Sequence, residues 1–152
     1  NLDPKAHGKE IHAHGYTKDE GPAYWNHGDR PLIVETPKEG RKVFKDVCPM
    51  AAEHIGKHLA DLGFDAATQV RRFWLHQANL SMNQLIAKKL LGSKEFSADV
   101  APIILDEFAN TASAGSIIAF HRHNKDLKAG DVGVICSFGA GYSIGSVILR
   151  KR

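Results

Sequence analysis

The chain has 152 residues, enough for one compact domain with a sizeable core. Hydrophobic residues make up 43% and charged residues 24%, the balance of an ordinary globular protein. A net charge of +3 without a Lys/Arg block or an aromatic–basic stripe argues against nucleic acid as a partner. No apolar run approaches the roughly 18 residues that span a membrane, and no signal peptide opens the chain, so a cytoplasmic protein is expected.

Residues 1–42 are rich in His, Gly, Asp and Pro. Two extended pieces stand out there, "EIHAHGY" (10–16) and "PLIVET" (31–36), with "GDRP" and "TPKEG" as turns or loops. From 41 to 64, Val43, Phe44, Val47, Ala51, Ile55, His58, Leu59 and Leu62 recur at helical spacing, with Gly63 at the C-cap. Pro49 inside that pattern implies a kink or a late start. "QVRRFWLH" (69–76) is β-branched and aromatic and reads as a strand.

Asn79 then opens a helix over 80–92, whose apolar face is Met82, Leu85, Ile86 and Leu90 and which Gly92 ends. "APIILDEFANT" (101–111) reads as helical at its start and as ending near Asn110. A helix over 113–127 opens on small residues, and 131–152 reads as two strands around a Gly-rich bend. Alternating strands and helices predict an α/β layered domain.

Cys48 and Cys136 lie far apart, form no CxxC pattern and sit among apolar residues. They read as buried free thiols in a reducing compartment. His12 and His14 are two apart in a strand, as are His121 and His123 at a helix end, but no Cys or carboxylate cluster completes a four-ligand set. No metal site is expected.

Three features carry chemistry. His76 in "WLHQAN" stands where an apolar strand ends, and taken alone such a histidine is more often structural than catalytic. Asn110 in "ANTASAG" reads as a helix N-cap or as a functional amide. The glycines of "FGAGYSIG" (138–145) form a tight turn, or let backbone N–H groups approach a substrate oxygen.

In this order, with about 35 residues between the first two motifs, "WLHQAN", "ANTASAG" and "SFGAGYSIGSVILR" resemble the C-terminal half of β-ketoacyl-acyl-carrier-protein synthase III. The resemblance runs from about Ile11 to Arg152. It implies one half of a thiolase-like αβαβα fold, a mixed sheet packed by helices, in an enzyme that makes a carbon–carbon bond by decarboxylative Claisen condensation. An acyl group waits as a thioester on a cysteine, and malonyl on the acyl carrier protein loses carbon dioxide to give an enolate. Neutral N–H donors suit that developing charge, where a carboxylate would repel it. The resemblance assigns them to His76 and Asn110. The backbone N–H groups of Gly139, Ala140 and Gly141 would help hold the oxyanion of acyl transfer.

The family's nucleophilic cysteine sits at a helix start in the N-terminal half, and neither Cys48 nor Cys136 matches it. The chain, which opens on Asn1, therefore reads as a C-terminal domain over 1–152 whose N-terminal half is missing, and as inactive by itself. The resemblance also implies a homodimer in fatty acid biosynthesis, using acyl-CoA and the phosphopantetheine of the carrier protein, with no further cofactor. Phe44, Ala78 and Asn79 match positions lining the pantetheine tunnel. Lys45, Lys88 and Lys89 match a basic patch that docks the acidic carrier protein. Ser81 departs from the pattern, since relatives often place an arginine there.

Three other readings remain at this level. One is a thiolase relative that transfers or cleaves acyl groups without decarboxylation, against which the His–Asn pair argues. Another is a non-catalytic partner subunit or acyl-binding module lacking the nucleophile. The third is a related natural-product condensing enzyme, since such synthases share these motifs.

Overall fold

The computed structural model describes residues 15–17, 21–23, 40–92, 95–139 and 142–152, with side chains in the first helix from Phe44 onward. The chain divides into two units, residues 1–43 and 44–152. In the first, β1 (Gly15–Thr17) pairs antiparallel with β2 (Gly21–Ala23), Tyr16 opposite Pro22. The extended reading at 10–16 overlaps β1, whereas "PLIVET", His12 and His14 lie outside the described residues.

The second unit is built on a three-stranded mixed sheet. β3 (Val70–Leu75) runs parallel to β4 (Val132–Gly139), which pairs antiparallel with β5 (Ser143–Arg150). The strands alternate their side chains between two faces. On one face Ser146 Oγ meets His54 Nε2 at 3.0 Å and His58 Nδ1 at 2.8 Å, both on α1 (Gly40–Asp61). On the other, Ser137 Oγ meets Ser116 Oγ at 2.6 Å, on α5 (Ala114–Arg122). Helices therefore cover both faces, as expected for one layered half.

Helix α1 buries Val47, Ala51, Ile55 and Leu59 of the stripe its sequence predicts, and Cys48 beside them, whereas Leu62 lies beyond the helix end and is 54% exposed. Pro49 does not interrupt it. The proline lies on the exposed side, where water can take the Lys45 carbonyl that loses its helical partner. After the short α2 (Ala66–Gln69), β3 drives Phe73, Trp74 and Leu75 into the interior. Trp74 meets Phe120 of α5 edge-on at 4.9 Å, and its indole N–H donates to His123 O. Below it Gly133 leaves the room, since a β-carbon there would fall 2.3 Å from the Trp74 ring. Arg72 is buried beside this cluster, with its charge met by Asp126 and its remaining N–H groups by the Asp99 and His123 carbonyls.

Two helices differ from their sequence readings. In 101–111 the first residues are not helical, and α4 is confined to Leu105–Phe108. Pro102 disfavours helix at the residue before it, and the Ile104 N–H is donated to Gln77 Oε1, 27 residues away. Helix α5 stops at Arg122 rather than near 127, because Asn124 Nδ2 turns back onto the Phe120 and His121 carbonyls. Ile117 of α5 and Val147 of β5 remain 54% and 58% exposed, apolar side chains outside the core of the described residues.

Candidate active site

The C-terminal ends of β3 and β4 lie side by side, with Leu75 in register with Cys136. His76 follows directly, and Gly139 ends β4. His76 is 8% exposed and its ring centre lies 4.5 Å from that of Phe138. Burial pushes its pKa below the usual histidine value, so the ring is neutral at neutral pH. Nδ1 is buried without a partner among the described residues, so the ring is not committed to a structural hydrogen bond there. The His76 carbonyl instead accepts from Asn83 Nδ2 on α3 (Leu80–Leu91), which fixes the backbone behind the ring.

Gln77, which sequence reasoning passed over, joins this edge to its neighbours. It is fully buried and its amide donates to the Leu75 and Pro102 carbonyls while accepting from Ile104 N. It also packs against Gly115, whose absent β-carbon would meet Gln77 Cβ at 2.8 Å and Thr111 Oγ1 at 3.2 Å. One side chain thus ties the residue after His76 to both sides of the bend that carries Asn110. The available signal was its position, a long polar residue directly after an apolar strand.

The bend is unusual. Ala109 and Ala112 have φ of 52° and 53°, a region alanine rarely adopts. Such residues cost about 1–3 kcal/mol each and persist where surroundings hold them. Asn110 is exposed and does not cap α5; the residue before that helix is Ser113, which makes no side-chain cap. Instead Asn110 Oδ1 accepts from Ala112 N at 2.9 Å. A backbone N–H must meet the amide oxygen, so the NH₂ end is left as the outward-facing donor. Ser137 Oγ then donates to Ser113 O, fastening the bend to β4. His76 and Gly139 thus stand at the C-terminal ends of neighbouring strands, and the segment after the Asn110 bend is tied to both strands through Gln77–Gly115 and Ser137–Ser113. Ala140 and Gly141 lie outside the described residues.

The residues expected to line a tunnel and to dock a carrier divide differently. Asn79 caps α3, its Oδ1 accepting from Met82 N, so only its NH₂ group remains for a ligand. Ala78 beside it and Phe44 on α1 are half-buried. Lys45 on α1 and Lys88 and Lys89 in the last turn of α3 are exposed. The charge of Lys89 reaches Cys48, three residues after Lys45.

Both cysteines are buried and free. Burial raises the Cys48 pKa, Lys89 only partly opposing it, and pushes that of Cys136 up to about 12. A nucleophilic cysteine needs the opposite shift. The described residues contain no group of three or more potential metal-ligating His, Cys, Asp or Glu side chains, and no helix long and apolar enough to cross a membrane.

Residues 61–151 match the family described as 3-oxoacyl-[acyl-carrier-protein (ACP)] synthase III C terminal. The chain belongs to the 3-oxoacyl-acyl-carrier-protein synthase III family. Among relatives, it is 66% identical over 115 residues to a beta-ketodecanoyl-[acyl-carrier-protein] synthase of Pseudomonas aeruginosa, covering 76% of this chain and 32% of that protein. It is 31% identical over 124 residues to a beta-ketoacyl-[acyl-carrier-protein] synthase III of Levilactobacillus brevis, covering 80% and 36%. The crystal structure of a synthase III from Aquifex aeolicus superposes with a TM-score of 0.65 at 28% identity, over 74% of this chain and 35% of that one. One from Pseudomonas aeruginosa PAO1 gives 0.65 at 25% identity, over 74% and 35%. The synthase III chain thus spans about a third of the length of these relatives, and its α/β unit, a mixed sheet between helices, has their thiolase-like fold.

Proposed function

We propose that this chain is the C-terminal part of a 3-oxoacyl-acyl-carrier-protein synthase III in fatty acid biosynthesis, supplying the decarboxylation donors. The observation that carries the reading is a buried, neutral His76 at the end of β3. The residue after it, Gln77, packs against Gly115 beyond the Asn110 bend, and the Asn110 amide oxygen is already occupied, in a chain of this family. Malonyl decarboxylation breaks the bond between the carboxylate and the α-carbon, and the electron pair moves into an enolate on the thioester. The His76 ring N–H and the Asn110 NH₂ stabilise that oxygen as its charge develops. The enolate carbon then attacks the acyl thioester on a cysteine; the tetrahedral oxyanion is held by N–H groups around Gly139, Ala140 and Gly141 and collapses as the carbon–sulfur bond breaks and the cysteine leaves as its thiolate.

The family resemblance puts that cysteine in the N-terminal half; Cys48 and Cys136, both buried with raised pKa values, do not suit the role. The same half covers the exposed apolar side chains of Ile117 and Val147. Phe44, Ala78 and the Asn79 NH₂ contact the pantetheine arm, and Lys45, Lys88 and Lys89 receive the acyl carrier protein. The enzyme works as a cytoplasmic homodimer, and the reaction as drawn needs no group beyond its two thioesters. The Pseudomonas relative is named for a ten-carbon product. Two-carbon extension to that length starts from an eight-carbon acyl group, so octanoyl-CoA is the primer to test first.

Intact-protein mass spectrometry of the native polypeptide after incubation with acyl-CoAs tests this directly. An octanoyl adduct on a cysteine upstream of Asn1 is the expected result. The buried thiols also fit a second reading, a subunit without a covalent site. A native mass equal to these 152 residues and no adduct would establish that reading instead.

A further inference from the structure

The bend that carries Asn110 is closed on its outer side by an ion pair. Glu107 lies in α4, before the bend, and Arg122 is the last residue of α5, after it. Arg122 Nη2 donates to both carboxylate oxygens of Glu107, at 2.8 and 3.0 Å. The same guanidinium lies 5.6 Å from the centre of the Phe108 ring. One side chain at the far end of α5 therefore grips the two residues that lead into the bend.

The bend needs such a grip. Between Phe108 and Ala114 the backbone passes through Ala109 and Ala112 at positive φ, with Asn110 and its turn between them. At Ala109 a φ of 52° goes with a ψ of −154°, a combination open essentially to glycine. A backbone in such a conformation persists only where its surroundings hold it. On the inner side Gln77 and Ser137 hold the bend. On the outer side the ion pair is what spans it.

We propose that the Glu107–Arg122 pair is a positioning device for Asn110, fixing the direction of its NH₂ group without touching substrate. This rests on the assignment of Asn110 to decarboxylation. Both side chains are about half exposed, at 52% and 47%, so the pair adds little to global stability. Its effect is on the aim of one donor, where small misplacement is costly to the rate.

The test is made in the intact polypeptide with Arg122→Gln, the charge-swapped double variant Glu107→Arg with Arg122→Glu, and Asn110→Ala. Malonyl-carrier decarboxylation, its KM and cysteine acylation are measured for each. Arg122→Gln is expected to lower the decarboxylation kcat about tenfold, with KM within about twofold and acylation unchanged. The swapped pair is expected to restore most of the loss, although it gives up the contact with Phe108. If Asn110→Ala abolishes decarboxylation while Arg122→Gln leaves it intact, the positioning role is wrong and the role of Asn110 stands. If Asn110→Ala itself decarboxylates normally, the functional assignment fails and the positioning role with it. Acylation falling in step with decarboxylation, or a swap that restores nothing, also overturns the proposal.

Discussion

Gly115 stands so close to Gln77 that a β-carbon on it would lie 2.8 Å from Gln77 Cβ. Two segments of the candidate site, the residue after His76 and the first turn of α5, are held at this spacing because one of them has no side chain. Neither atom involved is the loose end of a flexible group, so an added methyl has to move backbone. Gly115→Ala is expected to destabilise the intact protein by about 1–3 kcal/mol, as overpacking does in a filled core. Because Gln77 bonds Ile104 N at the far side, the bend should shift as well, and decarboxylation should fall more than acylation. Chemical denaturation and the two partial reactions measure this. A variant with unchanged stability would show that the two segments can separate.

His76→Ala and Asn110→Ala are each expected to reduce malonyl decarboxylation by about a hundredfold or more, the usual cost of one oxyanion donor. Acylation of the cysteine should persist in both. A variant that condenses at the normal rate would remove that residue from the mechanism.

The His76 ring gives a pH signature. Its folded-state pKa lies below the ordinary 6.5, from burial. As pH falls below 6.5, the unfolded chain takes up a proton that the folded chain refuses, so stability decreases with falling pH. His76→Gln should flatten that part of the stability profile, and the His76 resonance of the wild type should titrate below 6.5 by NMR. Titration at or above that value would mean that the ring is not buried as a neutral group in the intact enzyme.

At pH 8 a thiol with a pKa of about 12 is a thiolate in only about one molecule in ten thousand. Cys136 should resist a thiol reagent in the folded protein and react on unfolding, and Cys48 should behave likewise. Rapid native labelling of either residue would contradict its place in the core.

Lys88→Glu with Lys89→Glu is expected to raise KM for the acyl carrier protein several-fold, more at low salt than at high, and to leave KM for acyl-CoA nearly unchanged. Equal effects on both substrates would show that the α3 lysines are not a docking surface.

Much of the local structure was legible in the chain. Asn79 ahead of an apolar-periodic run predicts a cap, and its Oδ1 accepts from Met82 N. Gly92 at the end of that run has φ 62°, and Gly63 after α1 has φ 79°, as helix-ending glycines do. The buried stripe of α1 follows its spacing. These features depend on residues within a turn or two of one another, which is what a sequence pattern encodes.

Other features were decided at long range. The start of α4 was moved because Gln77 takes the Ile104 N–H from 27 residues away. Arg72 is buried because Asp126, 54 residues on, meets its charge. Asn110 reads by itself more readily as a helix cap than as a functional amide in the sequence, and the two alanines at positive φ turn it into a bend instead. His76 follows the same rule. Its residue type announces a titratable ring at a strand end, but its loss of solvent, and hence its neutral state, comes from burial against Phe138. The sequence by itself determined which residues are candidates for the site and most of the elements that carry them. Only the tertiary structure decided which donors are neutral, which amide oxygen is already occupied and how the bend is held, because those depend on groups that meet only when distant segments pack together.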